Sequence, residues 1–344
     1  MRLMKWKAFW LAFLVFSISL SAQPALCDRG VIPIEPAVIY QGGQLAAIAW
    51  RDGEEILIVS TSLYVRDMPL ATPKIYALEF IPLPSMPEVR EGDLNVFKVL
   101  ESLTRTVQTV FYEPELRESS SKTIEVIYHE VIGAHEVNVL KADGGEAVVE
   151  WVLKFLSSRG LPEPQMLEKL SNTVDSYLAE GYSYLVFDLV SLSTTPKTVK
   201  PLVYRFRSEK IYYPLKASSI VGGYSSIALY ILTADRVKPE SVEASGLKIA
   251  FEARVSREDV EKADERLVGF FSEDVIWLTV LTWSGYLSEL TGDLRAEIGF
   301  SIMHLMNELA FSIPVSAALA LTALAYTYEF RDVLKKTLRR SKSN

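Results

Sequence analysis

From Leu309 to Tyr328 the chain runs for twenty residues without a charged side chain. A helix rises about 1.5 Å per residue, so this run spans about 30 Å, the thickness of a bilayer's hydrocarbon core. Arg331, Lys335, Lys336, Arg339, Arg340 and Lys342 follow it directly. Basic residues stay on the cytoplasmic side of a span. The run therefore predicts one C-terminal transmembrane helix over residues 301–330, with its uncharged core at 309–328, and a basic cytoplasmic tail at 331–344. Asn307 and Glu308 mark the outer interface, and Pro314 is a kink point just inside it. The competing reading is a buried core helix. The basic flank and the composition of the other terminus favour the span.

At that other terminus, Met1–Lys7 is short and basic, Ala8–Leu20 is apolar, and small and polar residues begin at Ser21. This is the order of a secretory signal. Residues 1–27 are expected to be removed after Cys27, with Ala25 at the third position before the cut; cleavage after Ala22 and a retained leader are the alternatives. A lipoprotein site at Pro24-Ala25-Leu26-Cys27 is disfavoured by the bulk of Leu26. Every variant places residues 28–300 outside the cell membrane.

The chain has 344 residues and a net charge of −7. Residues 1–27 carry +3 and residues 331–344 carry +5, which leaves −15 for residues 28–330. An acidic domain repels nucleic acid and anionic lipid at long range, so neither is expected as a partner of this domain. Cys27 is the sole cysteine, which rules out an intramolecular disulfide and cysteine-based metal sites. Apolar residues make up 49% of the chain, enough for a core to hold the domain without disulfides.

Within 28–300 the pattern is mixed. Gln44–Trp50 and Glu55–Thr61 flank Arg51-Asp52-Gly53-Glu54, a type I′ hairpin signal because Asp and Gly tolerate positive φ. Ile75–Ile81 reads as a strand that leaves through Pro82, Pro84 and Pro87 as an extended connector. Asp93 caps a helix with Val96, Phe97, Leu100, Leu103, Val107 and Val110 on one face. Strands follow at Ile124–His129 and Glu136–Leu140. Asp143 is positioned to cap a helix bearing Val148, Trp151, Val152, Phe155 and Leu156. A second helix begins at Pro164 and ends at Gly181. Tyr182–Leu192, apolar on both faces, suits a central strand. Lys200–Phe206, Lys210–Leu215, Ser226–Thr233, Leu247–Val255 and Ile276–Trp283 are further strands. Strands, then helices, then strands predict an α+β fold with a largely antiparallel sheet and packed helices.

Few residues invite a chemical reading. His129 and His135 flank Gly133, with Glu125, Glu130 and Glu136 nearby, and are the candidate metal ligands. The spacing matches no established zinc pattern, and no third histidine is at hand, so solvated strand residues are the stronger expectation and no metal or cofactor is assigned. Asp188, inside an apolar strand, is the buried-carboxylate candidate; the plainer alternative is a strand-end or edge residue paired with a nearby base. Tyr204-Arg205-Phe206-Arg207 and Tyr212-Tyr213 form either a sugar-binding platform or the alternation of a half-buried hairpin. No phosphate loop, nucleophile elbow or metalloprotease motif occurs, so no catalytic residue is assigned.

Several stretches together resemble a known family. They are Asp28–Pro33, the hairpin Ile48–Val59, Ile81–Val89, the helix from Glu146 to Gly160, Leu178–Leu192 and Tyr212–Leu215. In this order they resemble the archaeal-type branch of the secreted prokaryotic domain-of-unknown-function family 2330, over roughly residues 28–235. The resemblance implies export and implies no reaction, ligand or disulfide.

The chain is thus expected to be a membrane-anchored, extracytoplasmic binding or scaffolding protein of the cell envelope with a protein partner and no catalysis of its own. The alternative is an envelope-associated hydrolase or metal-dependent enzyme centred on His129 and His135.

Overall fold

The structure, a computed structural model, describes residues 32–34, 39–65, 75–104, 126–132, 135–192, 197–198 and 200–304. The signal at 1–27, the uncharged run 309–328, the tail, and the Val107 and Val110 turn of the first helix lie outside the described residues. Among the described residues, no helix is long and apolar enough to cross a membrane.

The Asp52-Gly53 turn forms as its composition requires. Both residues take positive φ, 51° and 81°, and join β2 (Ile39–Arg51) to β3 (Glu54–Val65) in antiparallel register with Arg51 opposite Glu54. The hairpin tip is tied to the body. Ser208 N donates to Gly53 O at 3.0 Å, and Trp50 Nε1 donates to Ser208 O at 2.9 Å.

Around this hairpin a large sheet assembles in the order β13 (Lys248–Ser256), β14 (Val275–Tyr286), β12 (Tyr224–Thr233), β2, β3, β10 (Leu202–Arg207), β5 (Glu88–Glu91), with the short β9 (Lys197–Thr198) also on β3. All its pairings are antiparallel except β12 with β2. A smaller antiparallel sheet has the order β1 (Ile32–Pro33), β4 (Ile75–Leu83), β8 (Tyr184–Leu192), β7 (His135–Lys141), β6 (Val126–Ile132). β8 sits between β4 and β7, the central position its two apolar faces predict. Each sheet draws strands from both sides of Tyr182, so the chain does not divide there.

The two sheets stack face to face. Ile81, Leu83, Val137, Val139 and Val186 of the small sheet share a core with Ala46, Ile48, Leu57, Val59 and Tyr204 of the large one. The far face of the small sheet packs Phe80, Leu185 and Phe187 against α2 (Gly145–Ser157) and α3 (Leu167–Ala179). The far face of the large sheet packs Ala47, Ile58 and Val203 against α1 (Asn95–Leu103) and Phe271. Two further helices are short: α4 (Pro239–Glu243) and α5 (Arg257–Glu261). The result is an α+β sandwich of helix, sheet, sheet, helix.

Local departures from the sequence reading have plain causes. Ile81-Pro82-Leu83 stays in β4 rather than leaving it, because β1 pairs β4 only at Ala77 and Leu78; Pro82, which has no N–H, faces β8 alone at Leu185. Asp143 does not cap α2. The N-cap is Gly144, and Gly145 N donates instead to Asp175 Oδ1 of α3 at 2.7 Å. The second helix starts at Leu167 rather than Pro164, after Met166 at φ 71°. Lys210–Leu215 yields only β11 (Ile211–Tyr213), paired with β15 (Leu294–Ala296), before a 3-10 turn at Leu215.

Candidate functional site

The outer face of the large sheet carries a trough where its side chains are small. Directly opposed residues of neighbouring strands share a face. Lys248 of β13 opposes Thr282 of β14, which opposes Ala228 of β12, which opposes Leu45 of β2. Ser284 opposite Ser226 forms the next row outward. On the other side stands the bulkier row of Val280 and Tyr230. Three interstrand spacings of about 4.8 Å make the trough roughly 14 Å across, from Lys248 to Leu45. Helix α1 walls it with Phe97 and Glu101, and Thr104 closes the end of that wall. The enclosed volume is about 500 Å³, within the range of small-ligand sites.

The trough is polar on its floor and charged at its rim. Ser226, Thr282 and Ser284 supply hydroxyls, Lys248 a cation and Glu101 a carboxylate. Burial, and then the Glu101 charge, raise the Tyr230 phenol above its usual value, so it stays a hydrogen-bond donor at neutral pH. Such a lining can orient a neutral, hydroxyl- or amide-bearing ligand through several weak donors and acceptors. The sequence reading passed over these residues. Their signal was the run of small side chains at alternate positions of β12 and β14, Ser226 and Ala228 beside Thr282 and Ser284.

The two histidines do not form a joint site. β6 and β7 pair with His129 opposite Asn138 and Ile132 opposite His135, which puts the histidines on opposite faces of the small sheet. His129 Nε2 lies 3.0 Å from Glu136 Oε1 on the helix side, where Arg159 also grips Glu136. His135 lies between the sheets. Its Nδ1 is 2.5 Å from Asp188 Oδ2, and its Nε2 is 2.9 Å from Lys200 O, two residues before the large sheet's β10. Among the described residues, no group of three or more His, Cys, Asp or Glu side chains is placed to hold a metal.

Asp188 is buried, 2% exposed, in the middle of β8 between β4 and β7, so it is not a strand-end or edge residue, although it does pair with a base, His135, itself 5% exposed. The sequence reading missed Glu79, equally buried, which opposes Asp188 across β4 and β8. Burial disfavours the His135 imidazolium, but the Asp188 charge, its hydrogen bond and the Glu79 charge outweigh that and raise the pKa. These groups fasten one sheet to the other.

The aromatic platform is a core. Tyr204, Phe206, Tyr212 and Tyr213 are buried between the sheets, while Arg205 and Arg207 point outward. No ring face is offered to a sugar there, because strand alternation turns the rings inward and the guanidinium groups out.

The fold is thus an α+β sandwich with a trough on the outer face of its large sheet and the His135–Asp188 pair in its interior. The chain belongs to the family described as "uncharacterized protein conserved in bacteria (DUF2330)", which it matches over residues 25–297. No curated protein matches it. Among solved structures, baculovirus P35 is similar at a TM-score of 0.39 and 11% identity, over 76% of this chain and 98% of the viral one. A mutated baculovirus P35 after caspase cleavage gives 0.33 and 10%, over 62% and 76%. Likenesses of that size say nothing of this chain's function.

Proposed function

We propose that this chain is a membrane-anchored extracytoplasmic binding protein of the cell envelope, and that the trough on the outer face of the large sheet is its ligand site. The observation that carries the binding role is the trough: about 500 Å³ floored by Ser226, Ala228, Thr282 and Ser284 and walled by α1. The anchoring role is supported by the uncharged run 309–328, the bases after it and the signal-like residues 1–27. In this reading residues 28–300 lie outside, residues 301–330 cross once, and residues 331–344 are cytoplasmic. An envelope partner presents the polar segment that enters the trough.

Peptide and glycan arrays probed with the full chain in mild detergent test this reading. The native chain should bind a defined set of polar probes. Ala228→Trp, which fills the floor of the trough, should lower that binding at least tenfold at unchanged thermal stability. Equal binding by both proteins would refute the site. An impermeant amine reagent applied to intact cells should leave Lys335, Lys336 and Lys342 unlabelled.

A further inference from the structure

The end of the domain nearest the uncharged run has an unusual surface. Phe300 is 78% exposed and Ile302 69%, the two most exposed of the large hydrophobic side chains among the described residues. Leu309 begins the uncharged run seven residues after Ile302. Even fully extended, seven residues reach only about 25 Å, so these side chains cannot lie far from the point where the chain enters a membrane.

Their chain neighbourhood is tied to a cluster of cationic and aromatic side chains. Gly299 N donates to Arg236 O at 2.8 Å, and Lys238 N donates to Glu297 O at 2.8 Å, which fixes Phe300 beside Arg236 and Lys238. The Arg236 guanidinium lies 4.9 Å from the centre of the Trp277 ring, and that of Arg254 lies 5.0 Å from the same ring. Ser301 Oγ donates to Glu240 Oε2 at 2.7 Å. The cluster thus joins exposed apolar side chains, a tryptophan and cations, the composition found at membrane–water interfaces.

We infer that this end of the domain rests on the bilayer's outer interface, with Phe300 and Ile302 inserted and Trp277, Arg236, Lys238 and Arg254 at headgroup level. The inference rests on the anchoring reading above. Its charge balance sets the kind of lipid surface. Arg236 is paired with Glu252, Lys238 with Glu297, and Glu240 stands beside Ser301, so the cluster is close to neutral. The domain behind it is acidic. Apolar insertion therefore holds the seat, and a zwitterionic surface suits it better than an anionic one.

The test uses the full chain in nanodiscs, with Cys27 replaced by Ser and one environment-sensitive fluorophore on Phe300→Cys, Ile302→Cys or, as control, Tyr286→Cys. Tyr286 is 51% exposed at the opposite end of β14, so all three labels replace exposed side chains. In phosphatidylcholine discs, shallow spin-labelled lipid should quench the labels at 300 and 302 at least threefold more than the label at 286. Raising the anionic lipid fraction should reduce that difference. Equal quenching at all three positions, in a chain that needs detergent for extraction, would overturn the seating while leaving the anchor in place. Extraction without detergent would overturn the anchor and the seating together. A seat that strengthens with anionic lipid would overturn the apolar mechanism.

Discussion

His135 and Asp188, 53 residues apart in sequence, meet through a 2.5 Å contact from Nδ1 to Oδ2 in the space between the two sheets. The second ring nitrogen of His135 reaches Lys200 O, so one side chain ties neighbouring strands of the small sheet to the segment that leads into β10 of the large one. A buried pair of this kind is costly to break, because the surviving partner stays buried without its complement. Asp188→Ala is expected to cost about 3–5 kcal/mol in urea unfolding. His135→Ala should cost a similar amount, and the double variant distinctly less than the sum.

The same pair gives stability a pH dependence of definite sign. The His135 pKa is raised in the fold, so the folded state holds this proton more tightly than the unfolded chain does. Its contribution is complete below the unfolded value of about 6.5 and is lost as pH climbs through the folded one. Urea midpoints measured from pH 5.5 to 9 should fall with pH, and Asp188→Asn should flatten that fall. A native profile that rises across this window would contradict the placement of the charge.

Glu55 acts in a lower window. It is fully buried at the hairpin's inner face, where Oε2 accepts from Tyr212 N at 2.8 Å and Oε1 has no hydrogen-bond partner among the described residues. Burial raises its pKa well above the usual carboxylate value, with the Tyr212 bond opposing. The fold therefore favours the protonated form, and stability falls as pH rises from the unfolded value of about 4.3 toward the folded one. Glu55→Gln keeps an acceptor for Tyr212 and removes the charge. It should stabilise the protein at pH 7 by about 1–3 kcal/mol and change little at pH 4, as calorimetry at the two values would show.

Much of this scaffold was legible because it rests on local rules. The hairpin turn needs two residues tolerant of positive φ, and Asp52-Gly53 provides them. β8 is apolar on both faces, and it lies between two strands. The site was far less legible. The trough depends on small side chains from β12 and β14 coming side by side with α1, and nothing within either strand announces that neighbour. The opposite orientations of His129 and His135 follow from a register that only the paired hairpin reveals. Glu79 looks like any strand glutamate until Asp188 is placed across from it.

Gly145 reports on helix packing. A Cβ at this position would stand 2.2 Å from Ser171 O and 2.6 Å from Ser171 Oγ, so α2 and α3 touch through a point with no room for a methyl group. The contact also brings Asp175 into range to accept from Gly145 N. Gly145→Ala gains helix propensity but must push the helices apart, and overpacking of this kind costs about 1–3 kcal/mol. A lowered melting temperature is expected for Gly145→Ala. Gly160→Ala meets no neighbour within 4 Å but sits at φ 67°, so its loss should arise from backbone strain instead.

Arg159 fastens the end of α2 to the small sheet. Its Nε donates to Glu136 Oε2 at 3.0 Å, Nη2 donates to Glu136 Oε1, Nη1 donates to Phe155 O at 2.9 Å, and the guanidinium lies 3.8 Å from the centre of the Phe155 ring. The geometry uses the planar fork, not charge alone. Arg159→Lys keeps the charge but cannot make the paired bonds and the stack at once, so a loss of about 1–3 kcal/mol is expected. Arg159→Ala leaves Glu136, whose side chain is 7% exposed, with His129 as its remaining ring partner, and should cost about 3–5 kcal/mol. Urea unfolding should show both losses, with Arg159→Ala the larger; equal stability of the Arg159→Lys and native proteins would show that charge alone holds Glu136.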